Sequence, residues 1–366
     1  MAKYFIIAGE ASGDQHAGAL MEQISLRDPE AHWAGLGGDR MASAGCRLYQ
    51  DYRQMAYMGF VAVLRNLGKV RSNLRIAREA LLSERPDVLI LVDYPSFNLR
   101  IAAYCRRHLP QTRIIYYIPP KVWAWKSWRI HRIARLCDQV WGIFPFETDY
   151  YARRGYQCTY VGNPTAKAID AYLQQTPPCT REAMIALLPG SRPAEVSSCL
   201  PVMLEAARRI AGYRIEVTAA PGIEDGFYTP YMREGETLSR HTYDTVCRAT
   251  AAVVNSGTAT LETALLGCPQ VAVYQIHYPR LMGMIRWAQP LFFSIRHFTL
   301  VNILAEEELI AELVANDFTA DRIEQALRRL LTDEAYKKYM LAGYEHISDL
   351  LHTEHATISD LLPARN

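Results

Sequence analysis

Three times in this chain a short apolar run ends in a turn of small residues and re-emerges as the start of a helix. The three are Tyr4 to Asp14 (YFIIAGEASGD), Ile185 to Arg192 (IALLPGSR) and Ala251 to Glu262 (AAVVNSGTATLE). A strand that turns tightly into a helix opens a βαβ unit, and such units build parallel sheets covered on both faces. The helix that follows carries free backbone N–H groups and the positive end of its dipole, which attract phosphate. Two of the three openings lie in the C-terminal half, so the pattern predicts two nucleotide-type folds.

The rest of the chain keeps this rhythm. Apolar runs at Tyr4–Ala8, Val88–Val92, Arg113–Ile118 and Gln139–Ile143 alternate with helical patterns at Leu74–Leu82 and Leu99–His108. Asp170–Arg181 has little periodicity and two adjacent prolines, and reads as an interdomain linker. Strands resume at Met184–Leu188, Tyr213–Thr218, Ala251–Val254 and Gln270–Tyr274, and beyond Asn302 the chain reads as wholly helical, with an acidic segment from Glu306 to Glu312. A length of 366 residues suits about two domains of ~150 residues. They are expected at 1–169 and 180–344, with a C-terminal helix from about 345 to 366 packing back on the first. The expected class is α/β, with two doubly wound Rossmann-like domains facing a cleft, the GT-B arrangement, in which ligands bind at the C-terminal strand edges. Periodicity alone also permits a nucleotide-sugar epimerase or a periplasmic-type binding protein.

Composition narrows the function classes. The formal net charge is only +2, which does not suit a nucleic-acid footprint spread over the whole chain. The first apolar run is too short for a signal peptide and meets Glu10 at once. Eight cysteines are scattered without a C-x-x-C pair, as expected of reduced thiols. Arg286 and Gln289 interrupt the most apolar stretch, Leu281–Phe293, so a spanning helix is not expected. No Asp-x-Asp pair or H-E-x-x-H spacing occurs, and neither a metal nor a cofactor is expected.

Two loops have the chemistry to hold a nucleotide diphosphate. In the first, Gly190 and Ser191 form a turn, Arg192 can fork two donors onto phosphate, and Glu195 lies in the first turn of the following helix. In the second, Asn255, Ser256, Gly257 and Thr258 form an N–H cradle, while Glu262 stands one turn into the helix where ribose hydroxyls could donate to it. Each alone could be a plain capped helix; on consecutive crossovers of one domain they reinforce each other. Neither is a Walker loop or a dinucleotide fingerprint.

The N-terminal half offers an acceptor side. Glu10, Ser12, Gly13 and Asp14 surround the first helix start, where Ser12 or Asp14 could equally be an N-cap. Asp93 closes the strand Val88–Val92 and suits a general base, while Ser96 or Asn98 is better placed to cap the next helix. Met58 and Asn98 complete the acceptor-side set. Two segments mix apolar and basic residues in the manner of interfacial binding: Met58 to Arg71, with Phe60, Arg65 and Lys69, and Lys121 to Arg132, with Trp123, Trp125, Trp128 and Arg129. Leu281–Phe293 overlaps a third candidate, Met282–Phe293, that could equally be core.

Taken in order, GEASGD at 9–14, MGF at 58–60, VDYPSFN at 92–98, VWAW at 122–125, LLPGSR with AEV at 187–196 and SGTATLE at 256–262 resemble the lipid-A-disaccharide synthase family. The resemblance implies an inverting GT-B transferase that joins UDP-2,3-diacylglucosamine to 2,3-diacylglucosamine 1-phosphate, giving the β(1→6) disaccharide and UDP. It implies a peripheral protein on the anionic cytoplasmic face of the inner membrane, with no nucleic-acid partner, and leaves a homodimer open. The family's essential aspartate falls on Asp93 and its essential arginine on Arg192; its SGT loop and helix glutamate fall on Ser256, Gly257, Thr258 and Glu262. Two departures stand out: Ile118-Pro-Pro-Lys121 replaces a usual Ser-Pro-Ser, and Gly162-Asn163-Pro164 replaces a usual Gly-His-Pro-like turn. The rival readings are a UDP-sugar epimerase or hydrolase of the same fold, and a non-catalytic nucleotide-sugar-binding membrane protein.

Overall fold

The computed structural model describes residues 2–55, 67–123, 126–275 and 297–362. The chain forms two compact units, Met1–Pro164 with Thr353–Asn366, and Thr165–His352. Each is built on one parallel sheet flanked by helices.

The strands of the first unit are β1 (Lys3–Ala8), β2 (His32–Gly37), β3 (Arg47–Asp51), β4 (Val88–Val92), β5 (Arg113–Tyr117), β6 (Gln139–Gly142) and β7 (Thr159–Tyr160). Their order is β3-β2-β1-β4-β5-β6-β7, doubly wound from β1. Every residue of β4 is buried, because helices cover both faces of a central parallel strand and Val-Leu-Ile-Leu-Val has no polar face to offer water. On the helix Leu67–Glu84, Val70, Leu74, Ala77 and Leu81 recur at helical spacing and pack into the core, leaving Lys69, Arg71 and Arg75 on the exposed face. The returning tail belongs to this unit: the Ala356 N–H donates to Tyr160 O at 3.0 Å and the Gln139 side chain donates to Leu361 O at 3.2 Å.

The second unit holds β8 (Glu182–Leu188), β9 (Arg214–Thr218), β10 (Thr237–Ser239), β11 (Ala249–Asn255), β12 (Gln270–Tyr274) and β13 (Glu312–Val314), in the order β10-β9-β8-β11-β12-β13. The chain beyond Asn302 is therefore not wholly helical. Glu312–Val314 adds a parallel edge strand with Ala272 opposite Glu312. The glutamate run favours helix locally, but Glu312 is drawn into a network: its carboxylate accepts from the Phe298 and Thr299 N–H groups, the Thr299 hydroxyl and the Asn302 amide at 2.7 to 3.1 Å. Edge pairing and this cap outweigh a propensity difference of a few tenths of a kcal/mol per residue.

Asp170–Arg181 is also not a linker in the structure. The helix Pro164–Gln175 runs through its first half, and Ile169 is buried against Met184 and Val246 of the second core. Its last residue, Arg181, donates to Val246 O at 2.5 Å, Ala249 O at 2.9 Å and Leu266 O at 2.9 Å. One guanidinium thus closes two helix ends and a strand start. Replacing Arg181 with alanine leaves three carbonyls without that donor, and is expected to destabilise the second unit by about 2–3 kcal/mol. Denaturant unfolding should record the loss as a lower midpoint with an unchanged slope.

Candidate active site

Asp93 in the first unit, and the two loops after β8 and β11 in the second, stand at the C-terminal ends of their strands. In the first unit the register aligns Ala8, Val92 and Tyr117 on neighbouring strands. Asp93 comes one residue after β4. Both Asp93 and Tyr94 have φ of +44°, the left-handed region that side chains with a Cβ rarely occupy. The bend is held from several sides. Asn98 donates to Val92 O at 3.1 Å and Asp93 O at 2.7 Å, and the Tyr116 hydroxyl donates to Asp93 O at 2.7 Å. The Tyr94 hydroxyl reaches Met55 O at 2.9 Å, and its ring occupies the space where a side chain on Gly9 would sit. The glycine that ends β1 is thus required by close approach rather than by its own torsion.

This arrangement presents the half-buried Asp93 carboxyl at the strand end. Burial pushes it above the ordinary aspartate value, opposed by the Lys121 charge and the Tyr94 N–H. Lys121 remains open to solvent, yet enough protein crowds its ammonium to lower it, against the pull of Asp93 and Glu147. Glu147 lies on the helix that follows β6 and is fully buried. One of its oxygens accepts from the Ile143 and Phe144 N–H groups at 2.9 and 3.1 Å, and the other from the Trp123 indole at 3.3 Å. Burial nevertheless raises its carboxyl to about 7. Neither Lys121 nor Glu147 stood out in the sequence as a site residue. The signal that could have found them is that each comes after a strand at or next to the one beside β4, which carries Asp93.

Several acceptor-side candidates have structural work instead. Asp14 is buried, and its two oxygens accept from the N–H groups of Gly38, Arg40 and Met41 at 2.7, 3.0 and 3.2 Å, capping the short helix Asp39–Ser43. Asn98 is fully buried and spends its amide on the carbonyls behind Asp93, so it shapes the strand end and does not cap the next helix. Gly13 is buried beneath Ala8 and Val92, while Glu10 and Ser12 remain accessible. Met58 lies outside the described residues. Of the membrane-contact set, Phe60, Arg65 and Trp125 also lie outside them, as does Met282–Phe293. Trp123 is not a surface anchor: it is only 7% exposed and its N–H turns inward to Glu147. Trp128 is 59% exposed with the Arg129 guanidinium 5.8 Å from its ring, and Lys69 is exposed on its helix.

In the second unit β8 and β11 are neighbours, which brings the two loops side by side. Gly190 has φ of +121°, and a side chain there would meet Glu195 at 2.6 Å and the Asn255 amide at 2.7 Å. The Glu195 carboxylate accepts from Ser191 N at 3.0 Å and from Arg192 at 2.9 Å. It therefore shapes the loop and restrains the arginine. That ion pair is half-exposed on the arginine side, so it contributes at most about 1 kcal/mol and can be exchanged for a phosphate at little cost. The helix Thr258–Leu265 begins at Gly257 without a side-chain cap; the Thr260 N–H turns back to Gly257 O at 3.3 Å, and the positive end of the helix remains uncapped by any side chain. Ser256, Gly257 and Thr258 are accessible there, whereas Asn255 is buried. Glu262 is half-buried, accepts from the Tyr243 hydroxyl at 3.1 Å, and is raised above the ordinary glutamate value by burial.

Among the described residues no group of three or more His, Cys, Asp or Glu side chains could hold a metal ion, and no helix is long and apolar enough to cross a membrane.

The family model for lipid-A-disaccharide synthetase matches residues 4–362. A lipid-A-disaccharide synthase of Geobacter sulfurreducens is 34% identical over 368 residues, covering 96% of this chain and 93% of that protein. Among solved structures, the spinosyn rhamnosyltransferase SpnG superposes with a TM-score of 0.61 at 11% identity, over 99% of this chain and 98% of its own. A UDP-GlcNAc 2-epimerase from Neisseria meningitidis bound to UDP-GlcNAc reaches 0.59 at 8% identity, over 97% and 100% of the two chains. Likeness at that identity establishes the fold, two Rossmann-like units of the GT-B kind, and does not separate transferase from epimerase.

The buried Glu147 makes stability depend on pH. Its carboxyl titrates near 7 when folded against 4.5 when unfolded. Between those values the unfolded chain has released a proton that the folded chain keeps, so stability falls as pH rises, by roughly 3 kcal/mol in total. Thermal unfolding at pH 5 and pH 8 is expected to show this decline, and Glu147→Gln to flatten it.

Proposed function

The chain belongs to the lipid-A-disaccharide synthetase family, and from that premise we propose how its two units divide the reaction. The protein is a glycosyltransferase that forms the lipid A disaccharide. Its substrates in this reading are UDP-2,3-diacylglucosamine as donor and 2,3-diacylglucosamine 1-phosphate as acceptor. The acceptor's 6-hydroxyl attacks the anomeric carbon; the new C–O bond forms as the bond to UDP breaks, with inversion. Asp93 takes the hydroxyl proton, a role suited to a carboxyl whose pKa burial has raised toward the working pH. In the second unit, Arg192, the turn at Gly190 and Ser191, and the open helix end at Ser256, Gly257 and Thr258 hold the diphosphate, and Glu262 accepts from ribose. Glu195 and Asn255 shape that cradle. Glu10 and Ser12 are the accessible acceptor-side groups.

A single observation carries the reading: the family match runs from residue 4 to 362, a span that contains both Asp93 and Arg192. The epimerase reading is not favoured, since it rests on a fold shared at 8% identity. Because both substrates carry acyl chains, we place the protein peripherally on the anionic cytoplasmic face of the inner membrane. The exposed Trp128 with the partly buried Arg129 beside it, together with Lys69 and its neighbouring cations, would then meet the headgroups. The helix carrying Lys69 contributes charge there, its apolar stripe being already in the core.

Incubating the purified protein with both lipids and resolving the product by chromatography tests the reaction directly; UDP binding without disaccharide would refute it. Asp93→Asn is expected to lower kcat roughly 10²- to 10⁴-fold with unfolding unchanged, and Arg192→Ala to act chiefly on the KM for the UDP-sugar. Trp128→Ala is expected to weaken sedimentation with phosphatidylglycerol vesicles, the residual binding falling further as salt rises.

A further inference from the structure

Asp93, Lys121 and Glu147 come after β4, β5 and β6, three strands adjacent in the sheet, with Val92 opposite Tyr117 and Tyr117 opposite Trp141. The three side chains are carried on quite different supports. Asp93 sits on its bent strand end. Glu147 is fixed in the interior by three N–H donors. Lys121 rides a short loop that is pinned on both sides. Ile118 leaves β5 with φ of +57° and its N–H bound to Trp141 O at 3.1 Å. Beyond Lys121, Val122 N turns back to Pro120 O at 2.5 Å, Val122 O accepts from the Tyr150 hydroxyl at 2.9 Å, and Trp123 is tied to Glu147. These contacts fix the loop's backbone beside the strand end that carries Asp93, and the solvent-accessible ammonium feels both carboxylates.

We propose that Lys121 is a positioning residue for the reaction: its pinned loop sets the ammonium at the neighbouring strand end, where its charge favours the ionised Asp93 carboxylate, while the buried Glu147 anchors that loop through Trp123. This rests on the reading of Asp93 as the base. The other groups facing Asp93 do not supply that charge. Tyr116 approaches from β5 with its hydroxyl committed to Asp93 O, and Tyr94 contributes its backbone N–H. Arg129, which acts on Tyr116, has its guanidinium engaged with Ser96 at 3.4 Å. Around Glu147, Tyr151, Tyr160 and Cys158 are neutral at physiological pH, each held above its ordinary value by burial. Among the described residues Lys121 is thus the cation that bears on both carboxylates. Because its charge favours ionised Asp93, removing it makes the carboxylate protonate at higher pH, and the base is lost earlier as pH falls.

The test is the pH dependence of kcat/KM for the wild type, Lys121→Met, Lys121→Arg and Asp93→Asn, each checked for an unchanged unfolding temperature. Lys121→Met is expected to move the acid limb upward by roughly one pH unit, about a tenfold loss at a pH on the limb, with little change on the plateau. Lys121→Arg, which keeps the charge, is expected to restore the limb. An unmoved limb overturns the proposal, and so does a rise in acceptor KM alone, which would make Lys121 a ligand of the acceptor phosphate. Retained turnover in Asp93→Asn would overturn the base reading itself. An inactive Asp93→Asn beside an unmoved limb in Lys121→Met overturns only the lysine's role. Should Lys121→Met fail to fold, Lys121→Gln carries the same expectation.

Discussion

The first unit depends on a backbone held where it would not rest by itself. Two consecutive left-handed residues, Asp93 and Tyr94, cost on the order of 1–3 kcal/mol each. That cost is offset by the Asn98 amide, two tyrosine hydroxyls and the packing of the Tyr94 ring over Gly9. The same contacts rigidify the chain just beyond β4. A base must meet its proton within hydrogen-bonding distance, and a carboxylate on a relaxed loop would spread over several positions. Strain at the strand end therefore fixes where the Asp93 carboxyl stands, which suits the base role proposed for it, and the polar groups behind it hold that bend.

Burial sets the electrostatics of the candidate residues. In the first unit Glu147 and Asp93 are desolvated and titrate high, Glu147 near 7 and Asp93 above its ordinary value. Low dielectric suits groups that must exchange protons. In the second, Glu262 is likewise raised by burial, whereas the Arg192 guanidinium is half-exposed and its partner Glu195 sits in the first turn of the same helix. Such a pair is weak in water, which suits the proposed exchange of Glu195 for a diphosphate. The uncapped helix at Gly257 adds a fixed partial charge that costs no rearrangement when phosphate arrives. The family's chemistry, deprotonating a hydroxyl and releasing a diphosphate, needs one environment of each kind.

The tryptophans separate in a way that their spacing hides. Trp123 and Trp128 lie five residues apart beside the same basic residues, yet one is buried on Glu147 and the other stands in solvent. The first is drawn inward by its hydrogen bond, and the second has only a neighbouring cation for company. An amphipathic reading of the segment therefore describes its composition and says little about which indole meets a membrane.

Local and chemical features were legible from the residues alone. β4 and β12 could be bounded to the residue, because a run of Val, Leu, Ile and Ala between turn signals has no other stable use in an α/β protein. The two loops after β8 and β11 were legible as glycine turns leading into helices, because such turns are set by short-range geometry. Asp93 and Arg192 were legible as a strand-end residue and a loop residue. The remainder depended on contacts between distant parts of the chain. β3, β10 and β13 are short edge strands whose residues follow no apolar run, so they exist only through pairing with a neighbour already in place. Arg181 and Asp14 became structural because distant carbonyls and N–H groups came within 3.2 Å of them. Lys121 and Glu147 joined Asp93 because β4, β5 and β6 are neighbours in space, and adjacency across a sheet is a long-range relation that local sequence does not encode.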